Sequence, residues 1–114
     1  MHTLTLGKIE HAAITAHVTV LRDRMMVSNP DRACLDAVLV KLAAGTTIVL
    51  ARLEVFCLIR AIRAQLQALR IDMEALEERR LRGGVNGSLD AAYRVLDADV
   101  QVLQDVRRRL WDMI

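Results

Sequence analysis

Three histidines and two cysteines are the side chains of this chain best suited to metal ligation or nucleophilic catalysis, and their spacing supports neither. Glu10, His11 and His17 form the one cluster that suggests a metal. Six residues separate the two histidines, which turns them about 240 degrees apart on a helix, and no His-x-x-His or Glu-x-x-His spacing occurs. They read as solvated or helix-packed histidines. Cys34 and Cys57 stand 23 residues apart on a stretch that reads as one helix, about 35 Å at 1.5 Å per residue, too far to form a disulfide. Cys34 could lie near the first helix, but that helix should place His11 and His17 several turns away from it, so no thiol has a base beside it. Gly83-Gly84 lacks the Lys-Ser/Thr that follows a phosphate-cradling loop. The expectation is a protein that is not an enzyme, with no cofactor, metal or small-molecule substrate.

Arginines dominate the cations, 14 Arg against 2 Lys, while 16 basic and 14 acidic residues leave a net charge of +2. That balance is too even for a broad phosphate-neutralising surface, so direct nucleic-acid binding is not expected. Arg60, Arg63, Arg107, Arg108 and Arg109 would come level if residues 31–82 and 88–113 form an antiparallel hairpin, making a possible basic patch for an acidic surface or a phosphate. Ordinary i,i+4 pairing, Asp105 to Arg109 and Arg108 to Asp112, is the simpler account of two of them.

The elements that would position these groups are helical. The chain is 54% apolar with a mean hydropathy of +0.25 but holds one Phe, one Tyr and one Trp, so its interior must be aliphatic. Two places punctuate it strongly, Ser28-Asn29-Pro30-Asp31 and Gly83-Gly84-Val85-Asn86-Gly87-Ser88, and no repeat is evident. The expected fold is a single all-α domain over 1–114: helices of about 5–27, 31–82 and 88–113, the central one very long. Both shorter helices fold back on it antiparallel. Gly45 can bend the central helix without ending it; a break there would close a monomeric bundle instead. Val55, Ile59, Ile62, Leu66, Leu69, Met73 and Leu76 alternate spacings of four and three, a seam matched by Leu89, Tyr93, Leu96, Val100, Leu103, Leu110 and Ile114 and broken only where Arg107 falls on it. Ser88 is the expected N-cap of the last helix. The apolar run Leu42–Ile59 has the length of a membrane span but contains Arg52 and Glu54, so a buried helix is the better reading. With free thiols, and an N-terminus lacking a basic start and an apolar run, the expected location is the cytoplasm.

Two helices in cross-section cannot enclose a core, so a homodimer with a four-helix-like arrangement is expected. The apolar excess of the central helix then marks a protein-binding surface: Val38, Leu39, Leu42, Ile48, Val49, Leu53, Phe56, Leu58 and Ile59. On that reading Phe56→Asp or Leu58→Asp weakens association and leaves helicity intact.

In size, and in the stretch LARLEVFCLIRAIRAQLQALRIDMEALEERR, the chain resembles the small helical quorum-sensing antiactivators of the QslA type. The resemblance implies a dimer that covers the ligand-binding domain of a LuxR-type transcription regulator, blocks its dimerisation and keeps it off DNA by stoichiometric binding. An inhibitor of a defence complex of the kind phages carry, a secretion chaperone and a coiled-coil scaffold are the competing classes.

Overall fold

A computed structural model describes residues 1–83 and 87–114. Gly84, Val85 and Asn86 of the expected turn lie outside the described residues. The order is β1 (His2–Thr5), α1 (Lys8–Arg24), α2 (Pro30–Ala44), β2 (Thr47–Leu50), α3 (Arg52–Gly83) and α4 (Gly87–Asp112). The chain is mostly helical, as expected, but with four helices and a two-stranded antiparallel ribbon in place of three helices.

The expected helix over 31–82 is two helices separated by a strand. Gly45 is a poor helix former, and the four β-branched residues after it, Thr46-Thr47-Ile48-Val49, favour extended backbone. A partner strand was available at the N-terminus, where Thr3, Leu4, Thr5 and Leu6 alternate exposed and buried. His2 pairs with Leu50 and Leu4 with Ile48 across the ribbon, and Leu6 N–H donates to Thr46 O at 2.9 Å. The first helix therefore starts at Lys8 rather than near Thr5, and α4 starts at Gly87, one residue before the expected cap.

The six elements are two β-α-α units, an internal repeat that the bare sequence conceals. Thr3-Leu4-Thr5-Leu6-Gly7-Lys8-Ile9-Glu10 matches Thr47-Ile48-Val49-Leu50-Ala51-Arg52-Leu53-Glu54 in residue class at every position but Thr5 and Val49, which share only β-branching, although only Thr3, Leu6 and Glu10 are identical to their counterparts. Their equivalents share burial: Leu4 with Ile48, Leu6 with Leu50, Ile14 with Leu58 and Val18 with Ile62. In the second helices Leu35, Val38 and Leu42 correspond to Leu103, Val106 and Leu110, all fully buried. The ribbon register obeys the same pseudo-two-fold, since Leu4 and Ile48 are both equivalents and direct partners.

Each unit's second helix secures the other unit. Lys41 Nζ of α2 donates to Val49 O at 2.8 Å and to Glu54 Oε1 at 2.5 Å, and Ala51 N–H donates to the same carboxylate at 2.8 Å. Arg109 of α4 donates to Thr5 O at 2.9 Å and pairs with Glu10, whose Oε1 accepts from Gly7 N–H at 2.9 Å. Glu10 and Glu54 each cap the start of a first helix from its third position. The cations meanwhile satisfy the outward carbonyls of the ribbon edges, which a two-stranded sheet otherwise leaves open.

One asymmetry sets the shape. First-helix equivalents lie 44 residues apart (Glu10 and Glu54) and second-helix equivalents 68 apart (Leu42 and Leu110), so the second unit has 24 more residues between them. These lengthen α3 to 32 residues and α4 to 26, against 17 and 15 for α1 and α2. The α3–α4 hairpin projects as an arm along the 50 Å axis of the molecule. No described residue of α3 beyond Leu69, or of α4 before Val100, is fully buried. Arg80 pairs with Asp90 at 2.9 Å and lies over the Tyr93 ring near the tip. The expected seam fills the hairpin nearer the body, with Val106 buried where the four-three spacing had put Arg107.

The body lacks the two-helix cross-section that would call for a second subunit: four helices and the ribbon enclose one cluster of buried apolar residues within a single chain. The internal repeat supplies what a second subunit would. Light scattering at micromolar concentration is therefore expected to return the 12.8 kDa mass of one chain.

The clamp also titrates. Burial pushes the Glu54 carboxyl up, but the Lys41 hydrogen bond, the Ala51 N–H and the Lys41 charge outweigh it, leaving it below the ordinary value of 4.5. A depressed carboxyl contributes stability that is present above the unfolded-state pKa and is lost as pH falls through the folded-state value. Glu54→Gln is thus expected to cost roughly 1–3 kcal/mol at pH 7. In denaturant titrations the gap from the parent should narrow below about pH 4.5, as the parent's carboxyl protonates.

Candidate functional site

Five of the nine residues expected at a protein-binding surface are core residues: Val38, Leu42, Ile48, Leu58 and Ile59 are at most 4% exposed. The break at Gly45 is the reason. It folds α2 back beside α3, so the apolar excess that an unbroken helix would present to a partner is consumed between its own halves. Leu39 is half-buried against the core, and Val49 lies on the outer face of β2. Leu53 stands 79% exposed on the first turn of α3, with Phe56 half-buried one turn later.

The expected basic patch is also divided. Arg109 turns inward to Glu10 and the Thr5 carbonyl, and Arg60 binds Asp31 through two hydrogen bonds of 2.8 and 3.2 Å. Arg108 pairs with Asp105 at 2.5 Å, in keeping with ordinary short-range pairing. Arg63 makes no ion pair among the described residues. Arg107 has its Nε buried without a hydrogen-bond partner.

What the fold assembles instead is a mixed aromatic and cationic face where α3 begins and α4 ends. Phe56 and Trp111 meet edge to face, centroids 6.3 Å apart and planes at 81°. The Arg52 guanidinium lies 5.7 Å from the Phe56 centroid, a cation–π distance. Trp111 remains 49% exposed and shares a shallow cleft with Gln104, Arg107, Arg108 and Asp112. Two of the three aromatic residues of the chain thus meet at one partly exposed place. The hairpin register creates it, pairing the first turn of α3 with the last turn of α4, and helical periodicity within either helix gives no sign of it. Trp111 falls off the expected seam, and that was the only available hint.

His17 and His11 tie helices to one another. His17 bridges α1, α3 and α4: Gln65 Nε2 lies 3.2 Å from Nδ1 and Asp99 Oδ2 lies 3.1 Å from Nε2. The amide donates to Nδ1, so Nε2–H donates to Asp99. Gln65, the buried polar side chain of α3, gains a partner by this contact. His11 Nε2 donates to Leu42 O at 2.6 Å. Among the described residues no three His, Cys, Asp or Glu side chains are grouped to hold a metal, and no helix is long and apolar enough to cross a membrane. No protein-family model, curated protein or solved structure matches the chain.

Burial reverses one expectation about mutants. Leu58→Asp places a carboxylate in a fully buried site, which removes the fold rather than an interface. Leu53→Asp, five residues earlier, is expected to leave the far-ultraviolet circular dichroism and the melting temperature close to the parent's. A folded Leu58→Asp variant, or an unfolded Leu53→Asp variant, would contradict this placement.

Proposed function

We propose that this chain is a non-enzymatic regulatory protein that acts by stoichiometric contact with a protein partner through the face formed by Leu53, Phe56 and Trp111. The observation that carries the reading is the exposure of Leu53 and Trp111, with Phe56 half-buried between Arg52 and Trp111, beside the guanidinium groups of Arg52, Arg107 and Arg108. Trp and Arg are the residues most enriched at the energetic centres of protein interfaces, and isolated exposed aliphatics carry no such signal. Apolar anchors with a cationic rim suit a partner surface of the converse kind, an apolar groove or helix edged with acidic groups.

The narrower reading is an antiactivator that occupies the dimerisation surface of a LuxR-type regulator. Its support is the resemblance of residues 50–80, which fall almost wholly within α3 and include the contact residues Arg52, Leu53 and Phe56. An amphipathic helix of this kind can replace the helix that a regulator would offer to its own twin. A scaffold reading has less support, since one chain encloses its own core and has no physical need to associate with itself.

Affinity capture from the native cytosol with the parent chain, Leu53→Asp and Trp111→Ala, each read by mass spectrometry, tests the proposal. A LuxR-type regulator retained by the parent and depleted at least tenfold in both variants is the expected result. A regulator retained equally by all three moves the contact elsewhere. Recovery of no regulator by the parent removes the narrower reading.

A further inference from the structure

Cys34 and Cys57 are neighbours, because the strand at 47–50 turns α2 back against α3. Each thiol points at the backbone about one turn ahead of the other cysteine. Cys57 Sγ lies 3.6 Å from Asp31 O, three residues before Cys34, and Cys34 Sγ lies 4.0 Å from Leu53 O, four residues before Cys57. These reciprocal contacts set the two side chains side by side where α2 packs on α3. Cys34 is half-buried and Cys57 buried, so one thiol is open to a small oxidant and the other stands behind it.

We propose that Cys34 and Cys57 form an oxidisable dithiol, which peroxide converts to an intrachain disulfide joining α2 to α3. The Cys34 sulfur attacks one peroxide oxygen and the O–O bond breaks. Cys34 becomes a sulfenic acid, and the other oxygen leaves as water with the thiol proton. The Cys57 sulfur then attacks the Cys34 sulfur, the S–O bond breaks, and the hydroxyl departs as water with the Cys57 proton. Two thiols lose two electrons in all, and one hydrogen peroxide becomes two waters. Burial, then the Cys34 contact, pushes the Cys57 thiol up to about 12, with Asp31 adding to the rise and Arg60 opposing it. At neutral pH Cys57 is a protonated thiol, so the outer Cys34 is the one that meets the oxidant, and Cys57 must give up its proton, which leaves with the departing hydroxyl, as it attacks.

The loop so closed spans the whole α2–β2–α3 junction, including the Lys41–Glu54 clamp and the start of α3 where Leu53 and Phe56 stand. Oxidation therefore ties down one side of the molecule without a second chain. The disulfide requires no partner.

The test is peptide mapping of the full native chain after hydrogen peroxide, without reductant. A Cys34–Cys57 linked peptide is expected, lost on adding dithiothreitol, with a melting temperature raised by roughly 10 °C in the oxidised protein. Cys57→Ser, folded by circular dichroism, should leave Cys34 to accumulate as sulfinic acid, and Cys34→Ser should give no linked peptide. Linkage only between chains, linkage only after denaturation, sulfinic acid at Cys34 of the parent, or no reaction at either thiol would each overturn the proposal.

Discussion

The reciprocal clamp at the two strand-to-helix junctions is the constraint on which the rest depends. A four-residue strand paired with one other is too small to persist alone, and its outer edges expose carbonyls to water or to another chain. Lys41 and Arg109 settle both difficulties by binding an edge carbonyl and a helix-capping carboxylate together. Each cation comes from the second helix of the opposite unit. Neither unit can complete its own junction, so the two fold as one body. The buried residues of α2 and α4, Leu42 beside Lys41 and Leu110 beside Arg109, connect this polar contact to the core.

From that clamp the positions of the remaining groups follow. Seating Lys41 on β2 requires the chain to reverse after Ala44, and the reversal buries Val38 and Leu42 and brings Cys34 to Cys57. Seating Arg109 on β1 fixes the end of α4 against the body and sets Trp111, two residues on, beside Phe56. The aromatic face and the thiol pair are both consequences of the same closure, on different sides of α3. His17 contributes a third tie by giving the buried amide of Gln65 a partner and reaching Asp99 on α4.

The arm answers to different physics. Beyond Leu69 two helices have only each other, and apart from an ion pair, a cation–π contact and a half-buried seam they add little to the core. The repeat shows where this elaboration lies: 24 residues at the α3–α4 tip have no counterpart in the α1–α2 hairpin. Among its described residues Ile71, Leu81 and Val95 are exposed large apolar side chains.

The sequence by itself determined the helical class, the aliphatic interior, the turn near Pro30 and the antiparallel pairing of α3 with α4. Each is written in local periodicity or punctuation that one stretch of chain carries alone. Tertiary structure decided the rest. Thr46 to Val49 prefer extended backbone only weakly, and whether they form a strand depended on His2–Thr5, more than 40 residues away, being free to pair. Once they did, the apolar surface around Val38 and Leu42 became core, two cysteines expected about 35 Å apart became neighbours, and Arg109 left a supposed patch to bind Glu10. Spacing along one helix cannot report such contacts, because the partners lie on different elements and meet only when the chain closes on itself.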